Sequence, residues 1–342
     1  MKKWMNFLLL LLLGSSLIQA QTSNPQQYKY VFTVAKDGSG DFKFIQDAID
    51  AMRVYPLAPI TVYIKNGIYN EKIELPANNT DVTFIGESVD KTIITFNDYS
   101  GRGHTNTFTS YTAKISGNRF VAVNITFANT AGPVGQALAL YVDADKAVFK
   151  NCKFLGNQDT IFTAGENAAQ LFTDCYIEGT TDFIFGPATA VFENCTIRAK
   201  SNSFITAANT PANKPYGFVF LRCNIIADTA VNKLYLGRPW RAYSKTVFLF
   251  CSLPAAIAPE GWNNWGNTAN EKTSFYAEYK NTGAGAATQQ RVSWSKQLTD
   301  KEALLYTPDK IFTSVTAAWA ADSSWYKNIR AKVFEWPGHA VK

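Results

Sequence analysis

Two aspartates carry the strongest chemical signal in the chain. Asp159 lies in FKNCKFLGNQDTIF and Asp182 in FTDCYIEGTTDFIF, each seven residues after a cysteine, Cys152 and Cys175. A third phrase, FENCTIRAKSNSFI, places Asn202 at the same offset from Cys195. If such phrases stack as successive coils, the two aspartates stand about 5 Å apart with their side chains pointing the same way. Carboxylates that close do not both ionise cheaply. One keeps a proton while the other is an anion, so the pair supplies an acid together with a nucleophile or base at a single pH. The plainer alternative is a pair of solvated turn residues, and the neighbouring residues argue against it. Gln158 adjoins Asp159 and Gln136, in QALAL, falls one coil earlier, so two neutral amide donors converge where an oxyanion would form. Arg238, in LGRPW, offers a cation to keep Asp182 ionised, and Trp240 offers an indole to stack on a sugar face.

Other chemistries find little support. The chain has only two histidines, His104 in a glycine-flanked loop and His339 near the end, and no GxSxG elbow accompanies either. GSG at Gly38 to Gly40 reads as a turn, and GRG at Gly101 to Gly103 lacks the third glycine of a nucleotide fingerprint. DAD at Asp143 to Asp145 is too small a set of oxygen ligands for a calcium site. Neither a metal nor a cofactor is expected.

The elements that must hold these residues follow from the repeat. FLRCNI around Cys223 and FLFCSL around Cys251 continue the cysteine series, and VNITF precedes it with Ile125 in the cysteine's place. Six recurrences at intervals of roughly 20 to 28 residues predict a solenoid. Short strands alternating with period two run from Ile60 onward between Gly, Asn and Pro turns, with no helical pattern between them. This excludes a doubly wound α/β fold and predicts an all-β, right-handed parallel β-helix; a β-sandwich does not explain one residue type recurring in phase. Asp41 is expected to cap a helix over Phe42 to Met52 whose apolar face (Phe44, Ile45, Ala48, Ile49, Met52) plugs the open end of the core. A C-terminal helix is expected from Thr299, where Thr299 and Glu302 match a capping box, and the tail tryptophans Trp319, Trp325 and Trp336 read as packing.

Residues 1–20 read as a signal peptide, with Lys2 and Lys3 ahead of an apolar run from Phe7 to Leu13. A short polar terminus, 21–28, then leads into one catalytic domain over 29–342. The expectation is an exported protein, periplasmic or secreted, with no membrane anchor after cleavage, and monomeric. The formal charge of +6 falls to +4 without Lys2 and Lys3, which suits an anionic partner. No basic run with interleaved aromatics points to nucleic acid. Five cysteines in an exported chain normally suggest disulfides, but their common phase predicts a buried ladder of free thiols.

At this point the residues resemble a family. KDGSGDF, GIYNE, NTAGP, QALAL, QDTIF, GTTDFIFG, LGRPW and NTGAGA, in this order over nearly the whole mature sequence, resemble pectin methylesterases. The resemblance implies a β-helical enzyme that demethylates galacturonosyl esters of pectin (methylesterified homogalacturonan), releasing methanol without a cofactor. It further implies Asp182 as nucleophile and Asp159 as the acid that protonates methanol and then activates water. Gln136 and Gln158 would stabilise the oxyanion, Arg238 would hold Asp182, and Trp240 would line the sugar groove, with Thr107, Phe185 and Trp262 as further substrate contacts. Three positions depart from the family pattern: Asn157 before QDT, Thr181 before the nucleophile, and Tyr141 after QALAL. The Thr181 hydroxyl could donate to the Asp182 carboxylate and alter its acidity.

Two rivals stand beside this reading. A β-helical glycoside hydrolase acting on polygalacturonate could use carboxyls at the same spacing, but it develops positive charge on the sugar and gives the two glutamines no task. A noncatalytic β-helical binding protein gives no reason for Asp159, Asp182, Arg238 and both glutamines to coexist.

Overall fold

A computed structural model describes residues 28–315, 324–331, 334 and 336. The expected signal peptide, Trp319 and His339 lie outside the described residues.

Among the described residues the strands form three parallel sheets, one of eleven strands and two of seven, and from Ile60–Ile64 to Lys245–Leu249 consecutive strands visit the three sheets in turn. Such a path is a right-handed parallel β-helix. Each coil covers the apolar face that the previous coil leaves open, so one continuous core runs along the axis. Phenylalanines mark its rungs. Phe149, Phe172, Phe192, Phe220 and Phe248 stack in order, with ring centroids 4.2 to 4.8 Å apart.

The cysteine ladder is present as five buried, unbridged thiols. Each thiol lies against a main-chain carbonyl of the preceding coil, as Cys175 Sγ does against the Phe149 carbonyl at 3.3 Å. One conformational device sets the phase. The residue before each ladder position, Asn124, Asn151, Asp174, Asn194, Arg222 and Phe250 in turn, has a φ between +49° and +58°. A single left-handed residue therefore turns the chain from the eleven-stranded sheet into the next. Asn and Asp accept that conformation readily, whereas Arg222 and Phe250 hold it under strain.

The N-terminal plug forms, with Ile45, Ala48, Ile49 and Met52 buried in the main core. Its capping differs from expectation. The helix is shorter, Ile45–Asp50, and Phe44 is its N-cap residue, half exposed. Asp41 instead accepts the Thr33 amide and pairs with Lys29. The free amides of Ile45 and Gln46 are taken by the Glu71 carboxylate, 2.9 and 3.1 Å away. A cap supplied from 26 residues away leaves no local signature.

At the C-terminal end, Thr299 and Glu302 form the expected capping box. Two further helices, Pro308–Val315 and Ser324–Ala331, pack Ile311, Phe312, Trp325 and Tyr326 onto the outer face of the eleven-stranded sheet. Trp325 is thus a packing residue, and Trp336 lies edge-on to Tyr63 at 5.6 Å.

Candidate active site

The chemistry collects on the outer face of a seven-stranded sheet. In that sheet Tyr141, Phe162, Phe185, Ala207 and Arg238 fall on successive strands at one outward register. The stack Phe162 on Phe185, 4.7 Å between centroids, forms an apolar floor flanked by Trp240 and Tyr141.

Asp159 and Asp182 stand at the edge of this floor, at corners just ahead of the strands Ile161–Thr163 and Ile184–Gly186. Both corners are left-handed, with φ +64° and +49°. Aspartate tolerates that conformation better than most residues carrying a Cβ. Because Ile161 pairs with Ile184, counting back two residues puts Asp159 next to Asp182 on the adjoining coil. They are 8 % and 5 % exposed, so water does little to relieve their mutual repulsion.

Arg238 divides the pair. Its Nε donates to Asp182 Oδ1 at 3.0 Å and its Nη2 to Asp182 Oδ2 at 2.6 Å, a bidentate grip that Asp159 does not share. Burial, reinforced by the Asp182 charge, pushes the Asp159 carboxyl up to about 8. Burial also raises Asp182, but the Arg238 hydrogen bonds and charge pull it back. The pair is thereby biased: Asp159 keeps its proton more readily than Asp182, whose charged form Arg238 favours. Gln136 and Gln158 are joined by a parallel bridge on neighbouring coils, and both line the cleft with the two aspartates.

That cleft has a volume of about 210 Å³ and is also lined by Thr107, Phe108, Phe185, Ala207, Arg238, Trp240 and Trp265. A larger hollow of about 410 Å³ near Arg291 lacks comparable chemistry, because Arg291 is consumed by an ion pair with the buried Glu278.

A sheet face with an acid, an anion, two amides and an aromatic floor coincides with a known sequence profile, that of Pectinesterase, which matches residues 31–314. The chain belongs to the pectinesterase family. It is 40 % identical over 315 residues to "Probable pectinesterase/pectinesterase inhibitor 23" of Arabidopsis thaliana, covering 88 % of this chain and 55 % of that protein. It is 39 % identical over 281 residues to "Pectinesterase 31" of the same plant, covering 79 % of this chain and 88 % of that protein. The chain thus spans about half the length of the first relative and most of the second. Among solved structures, "Pectin methylesterase from Carrot" superposes with a TM-score of 0.81 at 35 % identity, over 89 % of this chain and 97 % of that one.

Within this pectinesterase fold, eight of the nine residues expected from sequence meet in one cleft: Asp159, Asp182, Gln136, Gln158, Arg238, Trp240, Thr107 and Phe185. Trp262 does not. It bridges Gly237, the inward neighbour of Arg238, and so continues the core column of Ile161, Ile184 and Thr206. At 1 % exposure it packs on Tyr276 and Phe248 and cannot touch a substrate. The groove tryptophan of GWNNWGN is Trp265, whose ring lies over Arg238. Phe108, exposed and 5.0 Å from Phe162, also overhangs the cleft. Neither was legible as a site residue. A second Trp three positions on was visible, but only the bridge to Gly237 turns Trp262 inward, and only the turn that follows brings Trp265 to the cleft.

Two further expectations change. Asn202 does not share the aspartates' place, since Ile184 pairs with Thr206 and so Phe204 stands next to Asp182. The third coil has two extra residues after Cys195, and Asn202 is displaced into an exposed turn where it accepts the Asn232 and Lys233 amides. Thr181 is paired through its hydroxyl with Ser203 at 2.8 Å rather than with Asp182.

Proposed function

We propose that this protein hydrolyses the methyl esters of galacturonosyl units in pectin, giving pectate and methanol, through an acyl-enzyme on Asp182. The carboxylate of Asp182 attacks the ester carbonyl carbon, and the negative charge moves to the carbonyl oxygen beside the amides of Gln136 and Gln158. Collapse breaks the bond to the methoxy oxygen, which leaves as methanol with the proton of Asp159. The mixed anhydride is then cleaved by water that gives a proton to Asp159, restoring both carboxyls to their starting states. Trp240 and the Phe162–Phe185 floor offer apolar faces for the sugars, with Thr107 and Phe108 at the rim.

The observation that carries this reading is the unequal treatment of two adjacent buried carboxyls: one gripped by Arg238, the other left to hold its proton. Family membership supports the ester as substrate over the glycosidic bond.

Incubation with highly methylated pectin tests the reading. Methanol and acid should appear together, without new reducing ends or unsaturated products, and reducing ends without methanol would sink it. Asp182→Asn, which keeps a residue able to hold the left-handed corner, should lower methanol release by at least about a thousandfold with unchanged circular dichroism. The segment 1–20 fits an export signal, with the single domain that follows acting as a monomer in the periplasm or outside the cell.

A further inference from the structure

We propose that Phe204 and Trp265 form an aromatic clamp that fixes the guanidinium of Arg238, and through it the carboxylate of Asp182. The proposal rests on the esterase reading above and adds two positioning residues to it. The Arg238 Cζ lies 4.0 Å from the Phe204 ring centroid and 3.6 Å from that of Trp265. A planar cation held between two rings keeps its orientation while gaining from both faces. The edge of that plane is what meets both oxygens of Asp182.

Each ring is itself held. Phe204 stacks on Tyr235 of the next coil, 5.2 Å away and 24° from parallel. Its main-chain carbonyl accepts the Asp182 amide at 2.8 Å, so one residue supports both partners of the ion pair. Trp265 has a φ of +61°, a costly conformation for a bulky side chain. It is kept there by a turn in which the Asn263 side chain accepts the Trp265 amide and the Asn264 side chain accepts that of Gly266. Strain held by dedicated side chains marks a placement the fold maintains. Trp265 lines the cleft, whereas Phe204 does not, so Phe204 reports on the clamp without the confusion of a sugar contact.

The charged groups facing Asp182 are Arg238 and Asp159, and Tyr276 in the core feels its charge. Loosening Arg238 therefore makes the Asp182 anion harder to form. In the full chain, Phe204→Leu and Trp265→Leu should each lower kcat for methanol release about tenfold. Both should move the acid limb of the kcat profile to higher pH, and Phe204→Leu should leave KM unchanged. Phe204→Tyr and Trp265→Phe should restore rate and pH profile. Leucine variants with wild-type kcat and acid limb, or with lower kcat and an unmoved acid limb, would overturn the clamp. Should Phe204→Leu fold poorly, Trp265→Leu, at an exposed position, still decides the matter. A wild-type protein that releases no methanol would overturn the esterase reading instead. The clamp would then be judged by the Asp182 carboxyl titration in carbon-13 NMR, which should move up in Trp265→Leu and would refute the clamp if it did not.

Discussion

At the scale of single residues, the proposed reaction needs two neighbouring carboxyls in different states, and burying them side by side weakens the fold. The Asp159 carboxyl is raised from 3.8 to about 8, chiefly by burial. Between those values the folded protein holds a proton that the unfolded chain releases, so the stability of this site falls as pH rises through that window. Asp159→Asn removes the penalty. It should abolish turnover yet raise the melting temperature, and the gap to wild type should be small at pH 4 and widen up to pH 8, reaching on the order of a few kcal/mol. A gap that stayed constant from pH 4 to 8 would mean that Asp159 is not the protonated partner. In the active protein the same group sets the alkaline limb, so methanol release should decline above about pH 8. The pairing itself was legible in sequence, because a shared offset from a buried ladder fixes spacing and direction together. Which side of a strand Trp262 takes was not, since that depends on which rung Gly237 meets.

At the scale of elements, the phenylalanine stack and the thiol ladder hold the coils in register beneath the site. Phe192 touches Phe172 on one side and Phe220 on the other and is fully buried. Phe192→Ala should cost about 3–5 kcal/mol, read as a shift of the urea midpoint, and a loss below 1 kcal/mol would show that the stack can collapse around the gap. Repetition made these elements visible, as a position recurring six times outweighs the ambiguity of any one short strand. What escaped was irregular. The two residues inserted after Cys195 moved Asn202 out of line, and the Glu71 cap joined residues far apart in sequence. Neither leaves a periodic trace.

At the scale of the whole molecule, the cleft and the C-terminal helices occupy different faces of the solenoid. The terminal helix Ser324–Ala331 is tied to the eleven-stranded sheet by Arg330, which pairs with the buried Glu193 at 2.7 Å, and by Lys150, which donates to the Ile329 and Arg330 carbonyls. Arg222 meets the same carboxylate oxygen, Oε1. Glu193→Gln should loosen this attachment, speeding amide exchange over 325–331 about tenfold, while methanol release stays at the wild-type rate. A large loss of activity would show that the two faces are coupled.

The single left-handed residue ahead of each ladder position also bears on where this fold can take up extra length. A residue added at that corner would reverse the inside and outside of the strand that follows, exposing a buried column and sinking a polar one. In this chain extra length enters at another corner, as the two residues added after Cys195 illustrate. The walls of the groove can be rebuilt through such insertions while the spacing of Asp159 and Asp182 stays untouched, so substrate preference can diverge freely around an unchanging reaction.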